Sequence, residues 1–182
     1  MLKYVLMGAL SYQPLTGYQL KQFVDSSAQH FWFAQTSQIY RTLDTLEAEN
    51  LLLSEIQEQD TRPDRRLYHL TETGHADLKA WLRDPMTEIA PTKDALLVRL
   101  FFSAQIDKET VLTQLRLQRS LHLKQLTLYH QISELIQKSS EERPHLQRDA
   151  LMWDITRRNG ELIEEAYVKW LNEAIERIEA NF

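Results

Sequence analysis

Residues Thr36 to Leu53 read TSQIYRTLDTLEAENLLL, and the period of the pattern changes partway along. Ile39, Leu43 and Leu46 recur at i, i+4 and i+7, the stripe of one helix face. Thr36 or Ser37 is expected to cap the start, because a hydroxyl there accepts an otherwise orphan N–H of the first turn. At 100° per residue, Ser37, Gln38, Arg41 and Thr45 fall on or toward the outward face, with Tyr40 on its border. Such side chains hydrogen-bond base edges or phosphates, and a guanidinium like that of Arg41 matches the N7 and O6 of guanine. Asn50 is placed to end the helix, since asparagine tolerates the left-handed conformation of many helix termini. The following Leu51-Leu52-Leu53-Ser54-Glu55-Ile56 is too short and too β-like for another helix.

Working outward, the first ten residues, MLKYVLMGAL, form an apolar run that reads as a buried first helix. The run is too short to span a bilayer and no small-residue cleavage site follows, so a cytoplasmic protein is expected. Thr16 with Gln19 fits a capping box for a short second helix whose buried face is Leu20, Phe23 and Val24, closing at Ser26-Ser27. The burial tendency of aromatic rings assigns His30-Phe31-Trp32-Phe33 to the core.

Beyond Leu53, one strand is expected over Ser54 to Glu58 and another over Arg66 to Thr71. They are joined by the polar turn Asp60-Thr61-Arg62-Pro63-Asp64-Arg65. A polar-faced helix running into such a hairpin is the layout of a winged helix-turn-helix. Arg62, Arg65 and Arg66 sit at or beside the tip, where a wing reaches a phosphate or the minor groove. Asp60 and Asp64 reduce the charge of residues 60–66 to +1.

Three segments carry a family resemblance: Leu15-Thr16-Gly17-Tyr18; Ser37-Gln38-Ile39-Tyr40 with Leu43 and Leu46; and Tyr68-His69-Leu70-Thr71-Glu72-Thr73-Gly74. In this order and spacing they resemble the N-terminal domain of PadR-family transcriptional regulators. One departure is Asn50, where that family commonly has glycine; asparagine can occupy the same backbone region. The other is charge. Residues 1–85 hold three Lys and five Arg against eleven acids, and the whole chain is −5. An acidic surface weakens non-specific DNA binding.

Thr73 is expected to cap a fourth helix through Ala76, Leu78, Trp81 and Leu82, ending at Asp84-Pro85. Pro85 to Pro91 has a proline at each end and no helical stripe, so residues 1–85 are assigned to the winged helix, 86–92 to a linker and 93–182 to a helical domain. There Thr92 is expected to cap a helix through Leu97, Leu100 and Phe101. Asp107 should cap a much longer one reaching about Lys138, striped by Leu117, Leu121, Leu128, Ile132 and Leu135. A third helix runs from His145 to about Ala180, with Ile163, Ala166, Tyr167, Trp170, Ala174 and Ile178 at helical spacing. Helices of ~30 residues with no third layer cannot bury their apolar faces alone, so a coiled-coil-like partner is expected. The resemblance implies that this half is a dimerisation arm.

The fold expected is mainly α, a winged helix-turn-helix with a two-stranded wing followed by long dimerisation helices. What the resemblance implies is a homodimeric regulator, usually a repressor although some relatives activate, that binds a pseudo-palindromic operator in double-stranded DNA and is released by a small aromatic effector, phenolic acids being the plausible class. A winged-helix module that binds protein rather than DNA is the alternative. For the effector, Trp153, Arg157, Gly160, Glu164 and Tyr167 share one helix face. Gly160 leaves either a slot for a planar ligand or room for a close helix crossing. His122, Tyr129 and His130 on the neighbouring helix either line that space or face solvent. Metal and cofactor sites are not expected: no two of the six histidines are four residues apart, and there is no cysteine and no Gly-rich phosphate loop. With no nucleophile motif either, an enzyme is not expected.

Overall fold

The computed structural model describes residues 1–28, 31–58 and 65–182, without the side chains of residues 28, 134, 135, 137, 139, 140 and 144. It divides into two compact units, Met1–Ala90 and Pro91–Phe182.

In the first unit α1 (Leu2–Leu10) precedes a two-residue strand β1 (Leu15–Thr16) and α2 (Gly17–Phe23). Thr16 and Gln19 form the expected capping box, Gln19 N–H donating to Thr16 Oγ1 at 3.3 Å and Thr16 N–H to Gln19 Oε1 at 2.8 Å. A π-helical turn, Val24–Ala28, ends α2. Helix α3 (Thr36–Ala48) follows, then β2 (Leu52–Gln57), β3 (Arg65–Leu70) and α4 (Glu72–Arg83). The sheet is antiparallel in the order β1-β3-β2, with Ser54 opposite Tyr68 and Ile56 opposite Arg66. The two wing strands therefore carry a third, Leu15 opposite Tyr68, too short to announce itself by alternation. Leu6, Leu20, Ile39, Leu43, Leu46, Leu52 and Tyr68 are the innermost side chains of a single core.

Several helix starts differ from expectation. Helix α3 begins at Thr36 itself, after Gln35, whose N–H donates to Gln38 Oε1 at 2.9 Å. Thr36 and Ser37 are thus inside the first turn and cap nothing. Helix α4 is capped by Thr71 rather than Thr73: Gly74 N–H donates to Thr71 Oγ1 at 2.9 Å. That hydroxyl and the Thr71 N–H also point at the Asn50 and Leu51 carbonyls. This fixes the register, because those carbonyls end α3. Asn50 has φ 56°, and Leu51 N–H donates to Leu46 O at 2.9 Å, closing α3 as expected.

The second unit holds α5 (Ala95–Phe101), a 3-10 turn (Ser103–Gln105), α6 (Lys108–Glu142), a 3-10 turn (Pro144–Leu146) and α7 (Gln147–Asn181). Asp94, not Thr92, caps α5, its carboxylate accepting from Leu96 and Leu97 N–H. Asp107 caps α6 through Thr110 N–H at 2.9 Å, and α6 continues four residues past Lys138. Helices α6 and α7 lie antiparallel, with Lys108 reaching Glu179, Arg119 reaching Asn172 and His130 reaching Glu161. Val111, Leu112, Leu115, Leu171 and Ile175 form the core of this hairpin. No helix among the described residues is long and apolar enough to cross a membrane.

Candidate nucleic-acid interface

Helix α3 buries Ile39, Leu43 and Leu46 and so turns the opposite side to solvent. Ser37, Gln38, Tyr40, Arg41 and Thr45 are all exposed. The Arg41 guanidinium has no ion-pair or hydrogen-bond partner among the described residues. Gln38 is less free than its sequence suggests, since its Oε1 accepts the Gln35 N–H and only its NH₂ is left to face outward. Thr45 donates its hydroxyl to Arg41 O at 3.0 Å and keeps acceptor capacity only. Tyr40 is held differently. Its ring lies against Gly17, where an added Cβ would come within 2.5 Å of Cε1, so glycine at the start of α2 sets the ring's position.

The wing arginines separate into unlike roles. Arg65 is exposed and has no ion-pair partner among the described residues. Arg66 turns back onto α3, where it binds the Glu47 carboxylate and lies 3.6 Å from Asp44. Its Nε donates to Ser54 Oγ at 2.8 Å, and Ser54 in turn donates to Glu47 at 2.5 Å. The same guanidinium stands 5.3 Å over the Tyr68 ring. Arg66 thereby ties the wing to α3, with Asp44 and Glu47 as its partners. Arg62, with Asp60 and the turn around it, lies outside the described residues.

The aromatic cluster before α3 does not all enter the core. Phe31 and Phe33 are 60% and 72% exposed, while Trp32 is half-buried and Ala34 buried. In an extended segment successive side chains point to opposite sides, so a run of neighbouring rings cannot all face inward. His30 lies outside the described residues. Trp32, Phe33 and Ala34 face Leu2, Gln38, Arg41 and Thr42 across a shallow cleft of about 240 Å³.

In the helical unit the side chains proposed for an effector are engaged with one another. The Tyr129 ring is buried against Gly160, where an added Cβ would meet its Cε1 at 2.7 Å. The space opened by that glycine is therefore occupied by the chain's own tyrosine. Arg157 donates to Asp154 at 2.8 Å and to Glu161 at 2.7 Å. Arg158 also reaches Glu161 at 2.8 Å, and hydrogen bonds from Arg158 and Arg157 hold its carboxyl down at about 2. Tyr167 donates to Asp94 at 2.5 Å and stacks on His122 at 4.1 Å, and His122 Nδ1 meets Glu164. Burial first, and then the Asp94 contact, push the Tyr167 phenol up. Trp153 is half-buried. No group of three or more His, Cys, Asp or Glu among the described residues could hold a metal ion.

Residues 6–80 match the family model of PadR-like transcriptional regulators, and residues 92–179 match that of the virulence activator alpha C-terminal domain. Over its winged-helix part, residues 6–80, the chain is similar to the PadR-like family of transcriptional regulators. A probable transcriptional regulator of Mycobacterium tuberculosis is 28% identical over 98% of this chain and 97% of its own length. The negative transcriptional regulator PadR of Bacillus subtilis is 29% identical over 59% of each chain. Solved structures of that Bacillus PadR superpose on nearly the whole chain. The complex with operator DNA gives a TM-score of 0.81 at 23% identity, covering 97% of this chain and 98% of that one. The complex with p-coumaric acid gives 0.71 at 22%, covering 98% and 95%. At these identities the structures establish the fold, a PadR-like winged helix with long C-terminal helices. The family and both relatives are regulators of transcription, not enzymes.

Proposed function

We propose that this PadR-like regulator is a homodimer that reads a pseudo-palindromic operator with α3 and the wing, and represses until a small aromatic effector releases it. One observation carries the reading: the side of α3 turned to solvent presents Ser37, Gln38, Arg41 and Thr45, and the Arg41 cation has no ion-pair partner among the described residues. Arg41 is assigned to guanine, Ser37 and Tyr40 to phosphate, and Gln38 and Thr45 to single hydrogen bonds on bases or backbone. Among wing residues, Arg65 and Arg62 are assigned to phosphates, and Arg66 contributes mainly by holding the wing against α3. The domain assignment is 1–85 for DNA, 86–92 for the linker and 93–182 for assembly. The names of the Bacillus relative and its complexes, a negative regulator seen with operator DNA and with p-coumaric acid, support repression and an effector of that class.

An effector using the α6–α7 seam beside Trp153, His122 and Tyr167 has to displace Tyr129 and draw Arg157 from Glu161. Titrating phenolic acids into the protein–DNA complex, with tryptophan emission followed in wild type and Trp153→Phe, tests that assignment. Operator release without any change in emission places the effector elsewhere.

DNA reading is tested by selecting duplexes from a random pool with the full-length chain and repeating the titration with Arg41→Ala. The expected loss is ~1–3 kcal/mol at the selected site, with relaxed preference at one base pair per half-site. Affinity must also fall steeply with added salt. A chain that selects no sequence, yet binds a protein partner with little salt dependence, is the interaction module instead.

A further inference from the structure

Among the described residues nothing covers the Phe33 ring. The extended segment before α3 already anchors itself through buried Ala34 and half-buried Trp32, yet Phe33 stands 72% exposed on the other side. It lines the same shallow cleft as Gln38, Arg41 and Thr42 of α3. An exposed ring beside an unpaired guanidinium is a paired surface, apolar on one side and cationic on the other. Exposed apolar surface of this kind marks a contact site. The charge selects among occupants. Arg41 lies on the solvent side of α3, so whatever reaches it brings negative potential and hydrogen-bond acceptors, as the major groove does. In that groove only thymine presents a methyl group, for which a phenyl ring is a suitable contact.

We infer that Phe33 is a specificity-determining residue that packs on the 5-methyl of a thymine within one base step of the guanine read by Arg41. The inference rests on the DNA reading proposed above. Phe33 adds what the polar face of α3 lacks. Ser37, Gln38, Arg41 and Thr45 all present hydrogen-bonding groups, and Thr42, the methyl-bearing residue on the cleft side, is partly buried with its hydroxyl given to Gln38 O at 2.8 Å. A thymine methyl entering from the groove is covered by Phe33, while the neighbouring base pair stays within reach of Arg41.

The test uses the full-length chain and the duplex it selects from a random pool. Each thymine of that duplex is replaced in turn by deoxyuridine, which lacks only the methyl group. One position per half-site should lose roughly fourfold in affinity, the fold-change expected from leaving one methyl group exposed. In Phe33→Ala that penalty should vanish while the other positions behave as in wild type. Phe33→Leu should retain part of it. Arg41→Ala should lose its guanine preference and keep the deoxyuridine penalty. The inference is overturned if no deoxyuridine position matters, or if the penalty persists in Phe33→Ala. It is equally overturned if Phe33→Ala weakens all duplexes alike, which would make the ring a sugar or phosphate neighbour. Should the chain select no sequence at all, the DNA reading fails and this inference with it. A selected site without a methyl effect removes this inference alone.

Discussion

The winged-helix unit and the helical unit bury their apolar residues in different ways. Among the described residues, fifteen buried apolar side chains of residues 1–90 make one core enclosed by α1, α2, α3, α4 and the sheet, whereas the core of the helical unit holds five. The shortfall is explained by where the leucines point. On α6, Leu117, Leu121 and Leu128 fall within about 40° of one another and remain exposed. The buried seam of Leu115, His122 and Tyr129 lies more than about 80° round the same helix. On α7, Leu151, Ile155 and Leu162 repeat the same steps of four and seven and are also exposed. Four helices around a small sheet can enclose a core, but a pair of antiparallel helices with the short α5 against it leaves outer faces uncovered among the described residues. The first unit is complete as a monomer. The second leaves apolar stripes exposed on both of its long helices.

The largest effect should come from breaking that second half. Leu121→Glu combined with Ile155→Glu puts charges on both exposed stripes without touching the α6–α7 seam. The dimer should weaken by roughly 100-fold or more, as expected when central apolar contacts are replaced by unpaired charges. Sedimentation at micromolar concentration should then show a monomer with unchanged helix content. If the wild type already sediments as a monomer, or the double variant remains dimeric, the stripes are not the interface.

The winged unit should be most sensitive where backbone meets backbone. An added Cβ on Gly74 would run into the Leu51 carbonyl and come within 2.6 Å of Leu70 Cδ1. The carbonyl cannot move far, because Leu51 O accepts from Thr71, whereas the Leu70 methyl can turn aside. Gly74→Ala should therefore cost ~2–3 kcal/mol and lower the melting of this unit by roughly 10 °C in calorimetry. The helical unit's transition should not move. A shift common to both transitions would show that the two units do not unfold independently.

Much of this was readable in the chain because the relevant signals are local. The Ile39-Leu43-Leu46 stripe, the Thr16–Gln19 capping box and Asn50 as a terminator each depend on residues a few positions apart, and the structure has all three. Features set by tertiary contact were not readable. Thr71 rather than Thr73 caps α4 because the end of α3 lies beside it. Arg66 reads as a wing-tip cation, but its side chain turns back from β3 to pair with Glu47 on α3. The stripe at Leu117, Leu121 and Leu128 was periodic enough to mark the helix, yet periodicity does not say which apolar face meets a partner within the chain. The outward-pointing Phe33 was hidden by the general tendency of rings to be buried. Alternation across an extended segment was the available signal.

The smallest effect is expected at Glu161, where the helical unit compensates for its thin core with charge. This carboxylate is nearly buried between α6 and α7, facing Arg157 and Arg158 on its own helix and His130 at 2.9 Å across the seam. Hydrogen bonds from Arg158 and Arg157 lower it to about 2 from an ordinary 4.5. A carboxyl depressed on folding stabilises above its unfolded value, so the contribution is present above about pH 4.5 and is lost as pH falls toward 2. Glu161→Gln should thus cost about 1–2 kcal/mol at pH 7, a figure kept low because Arg158 and His130 are well exposed. The melting difference between wild type and variant should narrow as pH drops from 5.5 to 3. Asp94, lowered chiefly by the Tyr167 hydroxyl, should leave a residual acid slope in both proteins. A difference that stays constant over that range would mean that Glu161 acts through shape rather than charge, and that the seam is held by its few apolar contacts after all.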